Sequence, residues 1–155
     1  RHRTGSGSGR GREGKVSENG IVVATRAWLR SECPLIDKNN KFNAGYIGAG
    51  STEYTIRSAG DSHRADVLGC DLATWNLTFE ARLSFGAAVA PNVSAADYFE
   101  RLSAWIRAQE RMHNYPEVAG YEVTRIEASN AGVINQADAG TARYQLQIRI
   151  EMEEM

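Results

Sequence analysis

Histidine, cysteine and proline are all scarce in this chain: three, two and three among 155 residues. His2, His63 and His113 stand far apart in polar settings, and neither an HxxxH nor a paired-cysteine spacing occurs. Ligand geometry for a resident metal is therefore not expected. Cys33 and Cys70 lack CxxC spacing and are too few for a disulfide framework, so they are expected as reduced, small residues in or near the core. One bridge between them is the alternative. No apolar run approaches the roughly 20 residues of a membrane-spanning helix, and no signal-peptide core lies near the start. These absences predict a soluble, unsecreted protein with no membrane partner. An excess of one charge is missing too, since the formal net charge is −1 and the pI is near 6.4. The summed field gives neither nucleic acid nor an anionic membrane a general attraction to the chain.

What is present is enough apolar residue, 42%, to close one core. The first fifteen residues, "RHRTGSGSGRGREGK", offer that core nothing to bury. They carry Arg1, Arg3, Arg10, Arg12 and Lys15 against Glu13 alone. Residues 1–15 are expected as a flexible basic arm, processed or appended, and 16–155 as a single domain. The remainder is acidic and finishes on Glu151, Glu153 and Glu154.

Periodicity places the elements. Residues 17–32 put Ile21, Ala24, Trp28 and Leu29 near one side and meet Pro34 just beyond, which predicts an amphipathic helix. A strand is the alternative, because Gly20 and the β-branched run Ile21, Val22 and Val23 are poor helix formers. "LIDKNNKFNAGYIGAGS" predicts a long excursion or an irregular hairpin, and "TEYTIRS" a short strand that "AGDSHR" turns. In "TWNLTFEARLSF" the residues Trp75, Leu77, Phe79, Ala81, Leu83 and Phe85 alternate with polar ones, as a half-buried strand requires. A second helix follows over about 94–112, with Ser94 as the expected N-cap and Tyr98, Phe99, Leu102, Trp105 and Ile106 as its apolar stripe. "GYEVTRIEAS" is a strand in which Ile126 falls out of phase with Tyr121 and Val123, predicting a bulge. "NAGVINQADAG" is expected as a linker or hairpin, and "TARYQLQIRIEMEEM" as a closing strand. Strands grouped on either side of a helix predict an α+β fold: an antiparallel sheet carrying both helices on one face.

Candidates for chemistry are weak. Cys70 and His63 could flank one turn as nucleophile and base, but no orienting residue is identifiable. "GSGSGRGREGK" has Gly9, Gly14 and Lys15 at phosphate-loop spacing, yet Val16 stands where a hydroxyl is needed and no strand precedes it. The arm could grip phosphate without reading sequence. Assembly is expected in place of catalysis, and no cofactor is expected.

The stretches "NVSAADYFERLSAWIRAQERMHNYPEVAGYEV" and "GTARYQLQIRIEME" carry a resemblance. Asn92, Tyr98, Phe99, Glu100, Leu102, Ser103, Trp105 and Ile106, then a Pro, a strand and the final strand Tyr144 to Ile150, resemble the minor capsid or tail terminator proteins of long-tailed bacteriophages and phage-tail-like particles. The ordered pattern spans residues 17–153. It departs from that family in the basic arm and in a middle turn represented only by "VLGCDLA". The resemblance implies an α+β virion subunit, assembled in the host cytoplasm, that forms a ring, commonly a hexamer, on the tail tube. Such a ring stops tube growth and docks the head connector. A connector or tail-completion protein of the neck is the neighbouring alternative, and a nucleic-acid module using the arm is another. Implied partners are further copies of the chain, the tail tube protein and the head-tail connector, with non-specific contact to DNA in the lumen. The residues expected at interfaces are Arg149, Glu151, Glu153, Glu154, Lys38 and Lys41, with the loops around 38–50 and 130–140.

Overall fold

The computed structural model describes residues 18–36, 41–44, 53–84, 91–138 and 141–155. The elements are α1 (Glu18–Glu32), β1 (Lys41–Ala44), β2 (Glu53–Ala65), β3 (Asp71–Ser84), α2 (Pro91–Met112), β4 (Tyr121–Asp138) and β5 (Thr141–Glu154). The five strands form one sheet in the order β1-β2-β3-β5-β4, antiparallel except where β1 runs parallel to β2. The expected α+β class is therefore the observed one.

Strict alternation sends Trp75, Leu77, Phe79 and Ala81 of β3 and Leu146, Ile148, Ile150 and Met152 of β5 to one face, where all are buried. Both helices close that face. Helix α1 packs on β1 and β2, α2 on β4 and β5, and Trp28 meets Trp105 at 5.0 Å between ring centroids. Ile21, Val22, Thr25, Trp28 and Leu29 are buried on α1, so packing of this stripe overrides the poor helix propensity of Gly20 to Val23. Phe79, fully buried, lies within 5.8–6.4 Å of Phe42, Tyr54 and Phe99, tying β1, β2, β3 and α2 together. Short β1 is also held from outside the sheet: Arg26 Nε donates to the Phe42 carbonyl at 2.5 Å and its guanidinium lies 5.7 Å from the ring centre.

Three expectations are corrected. "AGDSHR" does not turn the chain but continues β2, because a register shift between Ser58 and Gly60 absorbs the extra residue; Gly60 takes φ 131° there. The turn lies at Asp66–Cys70, where Asp66 Oδ1 accepts from the Leu68 and Cys70 amides and Gly69 adopts φ 86°. Helix α2 starts at Pro91, three residues before the expected cap at Ser94, as suits proline at a first helical position. Its end is a Schellman closure: His113, at φ 55°, donates its amide to Glu110 O, and Asn114 donates to Gln109 O. Finally, 130–138 is not a linker but the far half of β4. The bulge foreseen near Ile126 is present, as a register shift between Val123 and Arg125 that keeps both Val123 and Ile126 buried.

Candidate assembly surface

Opposite the helices the sheet presents rows of polar residues, set by register. One row reads Thr55, Glu80, Gln145; the next Arg57, Thr78, Gln147, Ser129; then Gly60, Asn76, Arg149, Glu127; then Ser62, Thr74, Glu151, Arg125; then Arg64, Leu72, Glu153, Glu122. By register Val133 of β4 continues the first row beyond Gln145, and Leu72 stands in the last.

The face divides electrostatically. Near Glu80 the polar groups are buried: Thr55, Thr78 and Glu80 are 0%, 4% and 1% exposed. A buried carboxylate requires a charged or hydrogen-bonding partner, and Arg57 Nη1 lies 2.7 Å from Glu80 Oε1. Beside it Thr78 Oγ1 donates to Gln147 Oε1 at 3.1 Å. Across β4 and β5 the charges are exposed and alternate: Arg125 to Glu127 at 3.3 Å, Glu127 to Arg149 at 3.6 Å, Arg149 to Glu151 at 3.4 Å. Such exposed pairs hold little energy each, so a partner can exchange them at small cost.

Of the residues singled out from sequence, Arg149, Glu151 and Glu153 share this outer face on β5. Glu154 does not. It has the parity of Met152, faces the helix side, and accepts from the Asp71 amide at 2.9 Å. Lys41 lies in β1 at the far edge of the sheet, and Lys38 lies outside the described residues, as do 45–50 and 139–140 of the expected loops. Sequence reasoning missed Arg57, Arg125 and Glu127 as surface-forming charges. Their polar parity opposite Ile56 and Ile126 was the available signal.

His63 is engaged on both sides of its ring. Both ring nitrogens of His63 meet carboxylates, Nε2 with Asp61 Oδ2 at 2.6 Å and Nδ1 with Asp71 Oδ2 at 2.8 Å, which leaves neither as a base for the Cys70 thiol. Both cysteines are free; Cys33 is buried, and burial pushes its thiol up to about 11, away from nucleophilic character. Among the described residues no group of three or more His, Cys, Asp or Glu side chains is placed to hold a metal ion. A groove of about 720 Å³ is lined by His113, Tyr115, Val118, Tyr121, Val123 and Met155. The two tyrosine hydroxyls of that lining donate to neighbouring oxygens, Tyr115 to Thr124 O or Glu110 Oε1 and Tyr121 to Asp71 Oδ2. No described helix is long and apolar enough to cross a membrane. No family model matches the chain, and no curated protein matches it.

Proposed function

We propose that this chain is a structural subunit of a phage-type tail, a terminator that closes into a ring, hexameric by the resemblance, on the end of the tail tube. In that role it stops tube polymerisation and offers the head connector a docking surface. The observation that carries the reading is the one-sided sheet: both helices pack on one face, and the other presents ordered rows of hydrogen-bonding and charged side chains. A ring subunit needs complementary patches on a rigid frame and no catalytic pocket. Arg149, Glu151 and Glu153 sit on β5 near the middle of that frame, where pairing on both sides fixes their direction. The resemblance carried by the residues of α2 and β5 supports this choice of family. The implied localisation is the tail or neck of a virion.

Light scattering of the purified protein, with and without tail-tube protein, tests the reading. A species of about six times the 17.0 kDa chain mass, or a monomer that forms one only on tube ends, is the expected outcome. A monomer that ignores tubes at every concentration overturns it; a ring that binds connector but not tube transfers the chain to the adjoining neck layer.

A further inference from the structure

At one end of the sheet four strands meet around a single histidine. His63 on β2 lies between Asp61 of the same strand and Asp71 at the start of β3, with Nδ1 also 3.1 Å from Asp71 Oδ1. Asp71 in turn accepts from Tyr121 Oη of β4 at 2.7 Å, and its amide donates to Glu154 Oε1 of β5 at 2.9 Å. Trp75 presents its ring to the imidazole at 88° and 6.1 Å. Just beyond lies the Asp66–Cys70 turn, whose Val67 and Leu68 are 101% and 85% exposed.

A neutral imidazole has one N–H and one lone pair, so it can satisfy one of two flanking carboxylates while its lone pair opposes the other. Only the imidazolium donates to both. We propose that Asp61, His63 and Asp71 form a proton-operated latch that holds the β2–β3 turn, and with it the Val67–Leu68 tip, in a fixed presentation. With the proton on, the cation binds the two hairpin strands to each other, and Asp71 carries the bond on to β4 and β5. With the proton off, the carboxylates of Asp61 and Asp71 are left facing the ring, Asp71 itself held by the Tyr121 hydroxyl and by Glu154 on its amide, and the hairpin end loosens as the ring's lone pair opposes one of the two carboxylates.

The sign follows from the surroundings. Partial burial works against the charge, but hydrogen bonds and attraction from Asp71 and Asp61 outweigh it and raise the His63 pKa above its ordinary 6.5. A raised folded-state value means that the latch's contribution is fully present below 6.5 and is lost as pH rises through the higher folded-state value. The latch belongs to the hairpin itself and stands whether or not the chain builds a ring.

The test is NMR titration of His63 alongside hydrogen exchange of the Asp66 and Asp71 amides, which donate to Cys70 O and Glu154 Oε1. Once ordinary hydroxide catalysis is divided out, protection of both amides should fall about fivefold as His63 loses its proton, the scale of one partly exposed charge-assisted bond. In His63→Gln that step should vanish. In Asp61→Asn, whose side chain is 40% exposed, the His63 midpoint should move down toward 6.5. A midpoint at or below 6.5 in the unaltered protein, an Asp61→Asn variant that leaves it unmoved, or amide protection indifferent to the titration overturns the proposal.

Discussion

Removing one carboxylate from α2 should loosen the far edge of the sheet. Strand β4 lies at that edge, where its outer backbone groups meet no further strand among the described residues, and α2 reaches over to supply partners: Glu110 Oε1 accepts from the Ile126 amide at 2.8 Å and from Tyr115 Oη at 3.1 Å. In Glu110→Ala the Ile126 amide, beside a side chain 1% exposed, loses a charged acceptor worth about 1.5–3 kcal/mol. Tyr115 suffers little, because its hydroxyl also lies 3.2 Å from Thr124 O. Glu110 is only half-buried, so water recovers part of the loss, and the expected cost is about 2 kcal/mol. That corresponds to a fall in Tm of about 4–8 °C for a domain of this size. Glu110→Gln keeps an acceptor oxygen and should cost less than about 1 kcal/mol. Burial and the Glu110 bond raise the Tyr115 pKa, so the same Ala variant should lower it, read by absorbance of the phenolate. Urea unfolding at neutral pH measures the rest. A Glu110→Ala variant within about 0.5 kcal/mol of the parent, or a Gln variant as damaged as the Ala one, would refute the edge-clip argument.

Phe79→Ala removes the ring that joins four elements, and should cost about 3–5 kcal/mol in chemical denaturation, with no change in the expected oligomer at temperatures where the fold persists. Glu151→Lys with Glu153→Lys should barely change monomer stability, since the ion pair to Arg149 that it removes is exposed, but should weaken ring or tube association in a salt-dependent way visible by sedimentation. Cys33 should resist alkylation at pH 8 in the folded protein and react on unfolding, as peptide mass spectrometry would show; prompt native labelling would contradict its burial.

How far the fold could be read in advance depended on whether the signal was local. Strands β3 and β5 declare themselves because one face is buried along their length, so alternation is unbroken from Trp75 to Ala81 and from Leu146 to Met152. The segment from Ala59 to Arg64 misleads because glycine serves a bulge as readily as a turn, and only the partner strand decides which. The true turn is disguised by Val67 and Leu68, two apolar residues where polar ones are usual. The charges of the outer sheet face were visible singly but not as pairs: Arg57 and the buried Glu80 lie 23 positions apart and meet only through register. Glu154 was legible by counting in twos from Met152, and its acidic character concealed that it points toward the helices.

The strand order has a consequence in time. Ribosomal synthesis delivers β4 before β5, yet β4 has no partner in the sheet until β5 lies between it and β3. For that interval the nascent chain holds a three-stranded sheet with an open β3 edge, an unpaired β4 and an α2 lacking part of its floor, a state prone to pairing with other chains. The fifth strand then reads as a folding device: it must zip along both edges at once, its unbroken register against β3 sets its place, and β4 follows it through three register shifts.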